Sequence, residues 1–439
     1  MKLAVVASLA VLAGCAASAD SPDSRPSPAP PASDPISNTA PAREGDEAAL
    51  APRAPAARQK TGTPPRGTCY VDFIDIGTGL AMLARCKDGS DRALNLLYDG
   101  GSNDPSLRTQ NRLVYILDKG LGFAPGETIH HLFQSHPHFD HHSELVRANG
   151  VIAKYDVKHI WDPAAYNDTA AYQCFIKAVI DKANTTKLVY HPGKPCPDFS
   201  KLVCDKMAMP AWKTPKTSIE PFDAPYRAKP TNKPVDIDLG SASFTAKILH
   251  ADPNTSHPND ASLVLKLELF GVKILLTGDE EAGRRAKPDV AATAKSVEKF
   301  LLDSKADLSA HIIQVPHHGS ETSSTDPFRD AATIMNRTKP DSFAVISSGP
   351  KEYSGTELPD ASIVKAWETK LGRDRVLSTK LNDGDAPLCA NHMDKIAPMP
   401  AMDKTPAGCN SIEFTIEDRA RGRKITSVVY WPIGPKVTP

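Results

Sequence analysis

Residues 134–144 read QSHPHFDHHSE, and this segment decides how the rest of the chain is interpreted. It holds four of the 14 histidines in a chain of 439 residues. Its H-x-H-x-D-H pattern begins with His136 and His138, and the segment IHHLF at 129–133 before it predicts a β-strand. Because side chains alternate along a strand, both imidazoles would project to the same side and could meet one cation.

Asp140 and His141 complete the pattern one turn further along the chain. An imidazole and a carboxylate at this position could hold a second ion close to the first, since Zn²⁺ accepts both ligand types. The alternative interpretation is a solvated, histidine-rich turn without a metal. The rarity of histidine elsewhere in the chain favours the metal site, and His142 has no assigned role.

Two later segments offer the further ligands that such a site needs. The run ILLTGDE at 274–280 places Asp279 directly after an apolar strand, where a carboxylate could bridge two cations. The run IIQVPHHGS at 312–320 brings His317 and His318 to a glycine turn in the same way. One of these two histidines would bind metal, and the other would face the substrate.

These motifs, in this order, resemble the metallo-β-lactamase superfamily. More narrowly, they resemble the nuclease-like domain of bacterial competence (DNA-uptake) channel proteins. The resemblance extends over residues 70–385, although residues 155–233 contribute little to it. The matching segments are FIDIGTGLAMLARC, LLYDGGS, NDASLVLKLELFGVKILLTGDEE and VPHHGSETSS.

The resemblance implies an α/β fold, the αβ/βα sandwich of the metallo-β-lactamase fold, with a two-metal site at one edge. The implied ions are two divalent metals, with Zn²⁺ as the first choice and Mn²⁺ as the alternative. Carried over residue by residue, the resemblance implies His136 and His138 as ligands of the first ion and Asp140 and His141 as ligands of the second. Asp279 would bridge the two ions. His317 would complete the second site, with His318 as the second choice for that role.

The chain also departs from the family pattern. Ser143 and Glu144 stand where the uptake nucleases usually have a glycine pair, and Thr78 and Leu80 stand where they typically have Gln and Asp. A third histidine for the first ion is left open between two candidates and a neighbouring Asn-Asp pair: His250, His257 and Asn259-Asp260.

The predicted reaction is hydrolysis by a metal-activated water. Asp140 and Asp279 would orient this water, and His318 could act as a general acid. The resemblance favours a phosphodiester substrate, nucleic acid included. Lys plus Arg (52) balance Asp plus Glu (52), so the whole-chain charge does not point to a long polyanion. The alternatives are a hydrolase acting on a lactone, a β-lactam or another carbonyl compound, an iron-dependent oxidoreductase, and a non-catalytic envelope binding module.

The N-terminus predicts export. Residues 1–15 combine Lys2, an apolar run and the sequence LAGC ending at Cys15, which resembles a lipoprotein signal with Cys15 as the lipidated residue. Residues 16–66, rich in Pro, Ala and Ser, predict a disordered linker. The hydrolase domain would then occupy residues 67–439, with an irregular insertion at about 155–233. This organisation predicts a lipid anchor in the bacterial envelope, at the outer membrane or the periplasmic face.

An exported protein can keep disulfides. Seven cysteines follow Cys15, and two pairs are candidate bridges, Cys69 with Cys86 and Cys389 with Cys409. No CxxC motif is present, which favours structural rather than metal-binding cysteines.

Overall fold

The computed structural model describes residues 62–103, 111–146, 149–165, 169–194, 219–226, 229, 233–283, 289–349, 352–353, 356–380, 411–420 and 424–431. The predicted signal peptide, Cys15 and nearly all of the predicted linker lie outside the described residues. So does the candidate bridge between Cys389 and Cys409. Among the described residues, no helix has the length and apolar character needed to cross a membrane.

The first sheet has eight strands in the order β19-β18-β1-β2-β3-β4-β5-β6. Strands β3 to β6 run parallel to one another, and the other neighbours in the sheet pair antiparallel. The strands are β1 (Thr68–Phe73), β2 (Gly79–Lys87), β3 (Ala93–Ser102), β4 (Thr128–Phe133), β5 (Asp156–Asp162), β6 (Val189–Pro192), β18 (Ser411–Glu417) and β19 (Ile425–Trp431).

The second sheet has seven strands in the order β17-β14-β11-β10-β9-β8-β7. Strands β10, β11, β14 and β17 are parallel, whereas β7 to β10 form an antiparallel meander. The strands are β7 (Val235–Ile237), β8 (Phe244–His250), β9 (Val264–Leu269), β10 (Val272–Leu276), β11 (Ile312–Gln314), β14 (Phe343–Ile346) and β17 (Val376–Ser378). Two short hairpins are separate from it: β12 (Met335–Asn336) with β13 (Lys339–Pro340), and β15 (Glu352–Tyr353) with β16 (Thr356–Glu357).

Helices cover the outer faces of both sheets. The first group packs on the first sheet, and it comprises α1 (Arg112–Tyr115), which continues as the π-helical turn Ile116–Gly120, α2 (Phe139–Val146), α3 (Val151–Lys154) and α4 (Ala170–Ala183). The second group packs on the second sheet, and it comprises α5 (Val297–Asp303), α6 (Asp326–Ala332) and α7 (Ala361–Leu371).

The layer order confirms the predicted αβ/βα sandwich. One apolar core lies between the two sheets, with side chains such as Phe73 and Phe414 from the first and Leu265 and Ile274 from the second. Two further cores lie between each sheet and its own helices. Most central strands are buried on both faces, which explains their nearly continuous apolar sequences.

The predicted irregular insertion at 155–233 needs correction at its N-terminal end. Residues 156–192 form β5, α4 and β6, which extend the parallel part of the first sheet. The segment escaped prediction because its strands are short and mix His, Lys and Asp with apolar residues. Of the remainder, the structure describes residues 193–194, 219–226, 229 and 233.

The predicted bridge between Cys69 and Cys86 is confirmed. The two residues are directly opposite in the β1–β2 ladder, with their Cα atoms 4.0 Å apart. Cys174, on α4, is disulfide-bonded as well. The bridge fixes the register of the first two strands, and β2 leads directly into β3, whose end reaches the site described next.

Candidate metal centre

The histidine motif lies in the loop that joins β4 to α2. Strand β4 ends at Phe133, so the predicted strand stops three residues before His136. Hydrogen bonds shape the loop instead, because the Gln134 amide donates to the His136 carbonyl and the Ser135 N–H donates to Asp99 Oδ1 at 2.6 Å. Helix α2 then begins at Phe139, which places the last two ligand candidates of the motif in its first turn.

Asp279 lies in the turn that follows β10. Gly278 adopts φ +58°, a conformation that favours glycine, and a Cβ there would lie 2.7 Å from Ser135 Cβ. The Gln314 side chain fixes this turn, since its Oε1 accepts from Gly278 N at 2.8 Å and its Nε2 donates to Gly278 O at 3.0 Å. The close approach of Gly278 to Ser135 brings the Asp279 turn against the histidine loop.

His317 and His318 follow β11, and both have positive φ, 50° and 52°. Such backbone conformations cost about 1–3 kcal/mol each for residues other than glycine, and they are concentrated at functional sites. The turn is held by the His317 N–H, which donates to Gly278 O at 3.1 Å, and by His318 Nδ1, which donates to Ser347 O at 2.7 Å. The strain therefore points both side chains towards the Asp279 turn.

Four imidazoles converge on the carboxylate of Asp279. Two come from the loop after β4 and its helix, and two come from the turn after β11, so each sheet supplies one pair. The distances from Nε2 to the nearer Asp279 oxygen are 3.7 Å for His136, 3.2 Å for His141, 4.0 Å for His317 and 3.4 Å for His318.

The potential ligand atoms form two compact groups. His136, His138 and Asp279 have ligand atoms within 4.8 Å of one another, and so do Asp140, His141 and His318. Asp279 connects the groups, since it also contacts the two histidines of the second group. The sequence analysis favoured His317 for the second group, but the structure places His318 there, 3.5 Å from Asp140 Oδ2.

In three of these histidines, Nδ1, the ring nitrogen that faces away from Asp279, lies within hydrogen-bond distance of an oxygen atom of the protein. His141 Nδ1 donates to Asp99 Oδ2 at 2.8 Å, and the Nδ1 of His318 is held by a backbone carbonyl. His317 Nδ1 lies 2.9 Å from Thr322 Oγ1 and 3.1 Å from Glu281 Oε1. A histidine whose outer nitrogen is bound in this way keeps the inner nitrogen available for a metal.

The charges of the cluster are strongly coupled. Burial lowers the pKa of His136 well below its usual value, and neighbouring His141 adds to the effect. Burial also lowers the pKa of His141, but the carboxylates of Asp279 and Asp99 outweigh it and hold this pKa well above the usual value. For His318 the Asp279 and Asp140 carboxylates likewise outweigh burial and raise the pKa to about 10. Without a metal, protonated imidazoles would therefore balance the buried carboxylates.

The donor set fits a divalent cation. His141 Nε2, His318 Nε2 and Asp279 Oδ1 are buried, and although they lie 3.2 to 3.5 Å from oppositely charged groups, none makes a hydrogen bond of acceptable geometry with a described residue. Buried polar atoms are rarely left unpaired, and these three point into one cluster of imidazoles and carboxylates. Cations bound between them would satisfy these atoms. His138 and His317 are half-buried, so the cluster is open to solvent on their side.

Neither histidine candidate for the first ion reaches this cluster, whereas Asn259 of the third alternative lies at its edge, with its Nδ2 3.5 Å from His317 Nε2. His250 is buried, donates from Nδ1 to Ser262 O at 2.8 Å and packs on Phe300. His257 is exposed on the loop before the 3-10 turn Pro258–Ala261. His317, half-buried beside Asp279, is the additional imidazole on this side.

Three residues near the cluster were missed in the sequence analysis. Asp99 follows an apolar strand and precedes two glycines, the same signal that identified Asp279, and this signal could have found it. Glu281 has no such signal beyond its place in the matched segment. Tyr353 lies far away in the chain, yet its hydroxyl donates to Asp140 Oδ2 at 2.5 Å and its ring stacks on His318.

Comparisons with known proteins give the following results. No family model matches the chain, and no curated protein matches it. The metallo-β-lactamase fold protein YhfI from Bacillus subtilis is similar, with 10% identity, a TM-score of 0.34, and coverage of 71% of this chain and 95% of that one. A metallo-β-lactamase superfamily protein from Thermotoga maritima is similar with 11% identity, a TM-score of 0.28, and coverage of 71% and 97%. At these TM-scores the likeness carries no argument about activity.

Proposed function

We propose that this chain is a metal-dependent hydrolase of the metallo-β-lactamase superfamily, with two divalent ions at the cluster around Asp279. The observation that carries the proposal is the convergence of four imidazole nitrogens within 3.2 to 4.0 Å of one buried carboxylate. The sequence motifs that resemble this superfamily contain the same residues. Zinc is the first candidate for both ions because imidazole and carboxylate are its usual ligands, and Mn²⁺ is the alternative.

The two groups support a ligand assignment. His136 and His138 would hold the first ion, and Asp140, His141 and His318 would hold the second. His317 belongs to neither group, but it lies 4.0 Å from Asp279 Oδ2 and would be the third imidazole of the first ion. Asp279 would bridge the two, since it lies beside members of both groups. In this assignment the consecutive residues His317 and His318 bind different ions. The first ion thus receives a third histidine that differs from the sequence candidates His250, His257 and the pair Asn259-Asp260.

Two bound divalent ions would lower the pKa of a water and stabilise negative charge on the substrate. The carboxylates of Asp140 and Asp279 are buried beside the histidines and would orient that water. His318 was the predicted general acid, but its Nδ1 is held by Ser347 O and its Nε2 faces two carboxylates. Tyr353, whose hydroxyl lies 2.5 Å from Asp140 Oδ2, is the alternative donor of a hydrogen bond to a substrate oxygen at the second group.

The pKa of Tyr353 supports this role. Burial raises this pKa well above its usual value, and the neighbouring Asp140 carboxylate adds to the effect. The phenol therefore stays protonated at neutral pH and can donate to negative charge that develops on a substrate oxygen.

We further propose phosphodiester bonds as the substrate class, with nucleic acid included. This choice rests on the likeness of the sequence motifs to the competence-channel nucleases. The experiment is metal quantification on the purified chain, with parallel assays on bis-p-nitrophenyl phosphate and a chromogenic β-lactam before and after chelation. The expected result is about two ions per chain and a chelator-sensitive phosphodiesterase. Turnover of the β-lactam alone would move the substrate class to carbonyl compounds, and a metal-free, inactive chain would overturn the proposal.

The variant that tests the bridge is Asp279→Asn, which keeps the side-chain shape and removes the bridging charge. It is expected to lose both ions and all activity. A variant with normal metal content would show that Asp279 does not bridge two ions.

We also propose that the chain is exported and anchored in the bacterial envelope through Cys15. The lipobox-like sequence supports this proposal, and the disulfide between Cys69 and Cys86 is typical of an oxidising compartment. Cys15→Ser should move the protein from the membrane fraction to the soluble fraction. An unchanged distribution would contradict the anchor.

A further inference from the structure

A cavity lies on the outer face of the second sheet, beside α5. Its volume is about 500 Å³, within the range of sites for small ligands. Strands β8, β9 and β10 and the C-terminal end of α5 line it. None of its lining residues belongs to the cluster around Asp279, so it is a separate feature of the fold.

Lysines dominate the polar part of this lining. Five lysines reach the cavity, against only two carboxylates, Glu268 and Asp307; the lysines are Lys233, Lys247, Lys266, Lys273 and Lys305. Two of the lysines are neutralised, because Lys247 pairs with Asp236 at 2.6 Å and Lys273 pairs with Asp307 at 2.7 Å.

The other three lysines have no such partners. Lys233, Lys266 and Lys305 make no ion pair with any residue that the structure describes. Glu268 is the one unpaired carboxylate in the lining, so positive charge remains in excess around the cavity. An anion would therefore be attracted to it.

Lys266 is the most important of these lysines for anion binding, because its charged side chain is buried. Its side chain is 8% exposed, and its ammonium donates to the Ser309 carbonyl. Burial lowers its pKa to about 8. The Asp307 and Glu268 carboxylates offset part of this effect, but neither forms an ion pair with the Lys266 ammonium. An anion bound beside it would offset the remaining cost of the buried charge.

The sheet register places a second lysine next to Lys266, because Lys266 on β9 lies directly opposite Lys247 on β8. Asp236 neutralises Lys247, but this ion pair is largely exposed, and exposed ion pairs contribute little to stability. An anion in the cavity can therefore recruit the Lys247 ammonium, while burial holds the Lys266 charge beside the cavity.

We propose that this cavity binds a small phosphorylated ligand, with Lys266 and Lys247 contacting its phosphate groups and Lys233 and Lys305 at the mouth. The chemical class follows from the charges, since several ammonium groups around one cavity match an anion that carries more than one negative charge. Phe300 is 7% exposed, so it offers little ring surface on which a base could stack. The lining thus offers contacts for the phosphate part of a ligand and little aromatic surface for a base.

The experiment is calorimetric titration of the full chain with pyrophosphate, in EDTA at constant ionic strength, so that metals at the Asp279 cluster do not contribute. Saturable binding of one pyrophosphate per chain is expected. Lys266→Met, which keeps the length of the side chain and removes its charge, should weaken binding roughly tenfold or more. Lys247→Met tests the same cavity from an exposed position, where folding is not at risk.

The matched control is Lys299→Met, on the same helix α5 but paired with Asp303 and outside the cavity. It should bind pyrophosphate as the unmodified chain does. Absence of saturable binding to the unmodified chain would overturn the proposal. Equal weakening by Lys299→Met would also overturn it, because the effect would then come from net charge alone. Neither result depends on whether the chain is a hydrolase.

Discussion

His317 and His318 are consecutive in the chain and both lie beside Asp279, yet each imidazole faces a different second carboxylate. His318 Nε2 lies 3.5 Å from Asp140 Oδ2, whereas His317 Nδ1 lies 3.1 Å from Glu281 Oε1. Positive φ at both residues gives the turn this shape. The two histidines therefore have different roles, and neither should replace the other.

The first prediction concerns metal content. His317→Ala and His318→Ala should each reduce the content from two ions to one, because each removes a ligand of a different ion. The double variant should then lose both ions. Metal analysis after gel filtration gives the measurement. If the double variant still keeps one ion, both histidines belong to the same site and the assignment is wrong.

The second prediction concerns Asp99. In Asp99→Asn the amide would still accept from Ser135 N, but its N–H would face His141 Nδ1 and force the ring proton onto Nε2. The nitrogen that faces Asp279 would then be blocked. Metal affinity should fall about 10- to 100-fold, measured by competition with a chromophoric chelator. Thermal unfolding in EDTA is the control, and an equal loss of stability there would mean that Asp99 is only structural.

The third prediction concerns Tyr353. Tyr353→Phe removes the hydroxyl that donates to Asp140 and keeps the ring that stacks on His318. Two bound ions should remain, while kcat for the phosphodiester falls by about 100-fold, the usual effect of losing one donor to developing charge. KM should change little. Loss of metal together with activity would assign Tyr353 to the support of the ligands instead.

The fourth prediction concerns acid stability at a second histidine group, on β4, β5 and β6. His159 Nδ1 lies 3.0 Å from His191 Nε2, and the ring of His131 stacks on His159. Burial lowers the pKa of His131 to about 3 and that of His191 to about 4, with neighbouring His159 contributing to both. Below the unfolded value of about 6.5 the unfolded chain binds more protons than the folded chain. Stability is therefore complete above about pH 6.5 and is lost as the pH falls towards 4.

This prediction is tested by urea unfolding in EDTA between pH 7.5 and 4.5. His131→Gln, which keeps an acceptor for the Trp161 indole N–H, should reduce the slope by up to about 1.4 kcal/mol per pH unit. His257→Gln, on an exposed loop, serves as the control and should leave the slope unchanged. An identical slope in both variants would show that other groups account for the acid sensitivity.

The sequence alone was sufficient to identify the fold and most of the cluster. Long apolar strands, each followed by a turn with His or Asp, predict strand ends that meet at one edge, as they do at Asp279. Spacing along the chain carries no information on side-chain direction within a strained turn. For this reason the roles of His317 and His318 could not be separated before the turn was seen.

Residues that support the cluster from a distance were harder to predict. Tyr353 lies on a two-residue strand more than 200 positions after Asp140, and nothing in its local sequence indicates the contact. The group of lysines around the cavity beside α5 could not be predicted either. Lys247 and Lys266 become neighbours only through the pairing of β8 with β9, and the sequence does not specify that register.

The division of the cluster between the two sheets has a consequence for durability. His136 and His141 follow a strand of the first sheet, whereas Asp279 and His318 follow strands of the second. In the proposed assignment each ion would take ligands from both sheets, so it would cross-link the two halves of the sandwich and oppose their separation. The supply of metal would then govern how long the folded protein survives, in addition to the rate at which it turns over substrate.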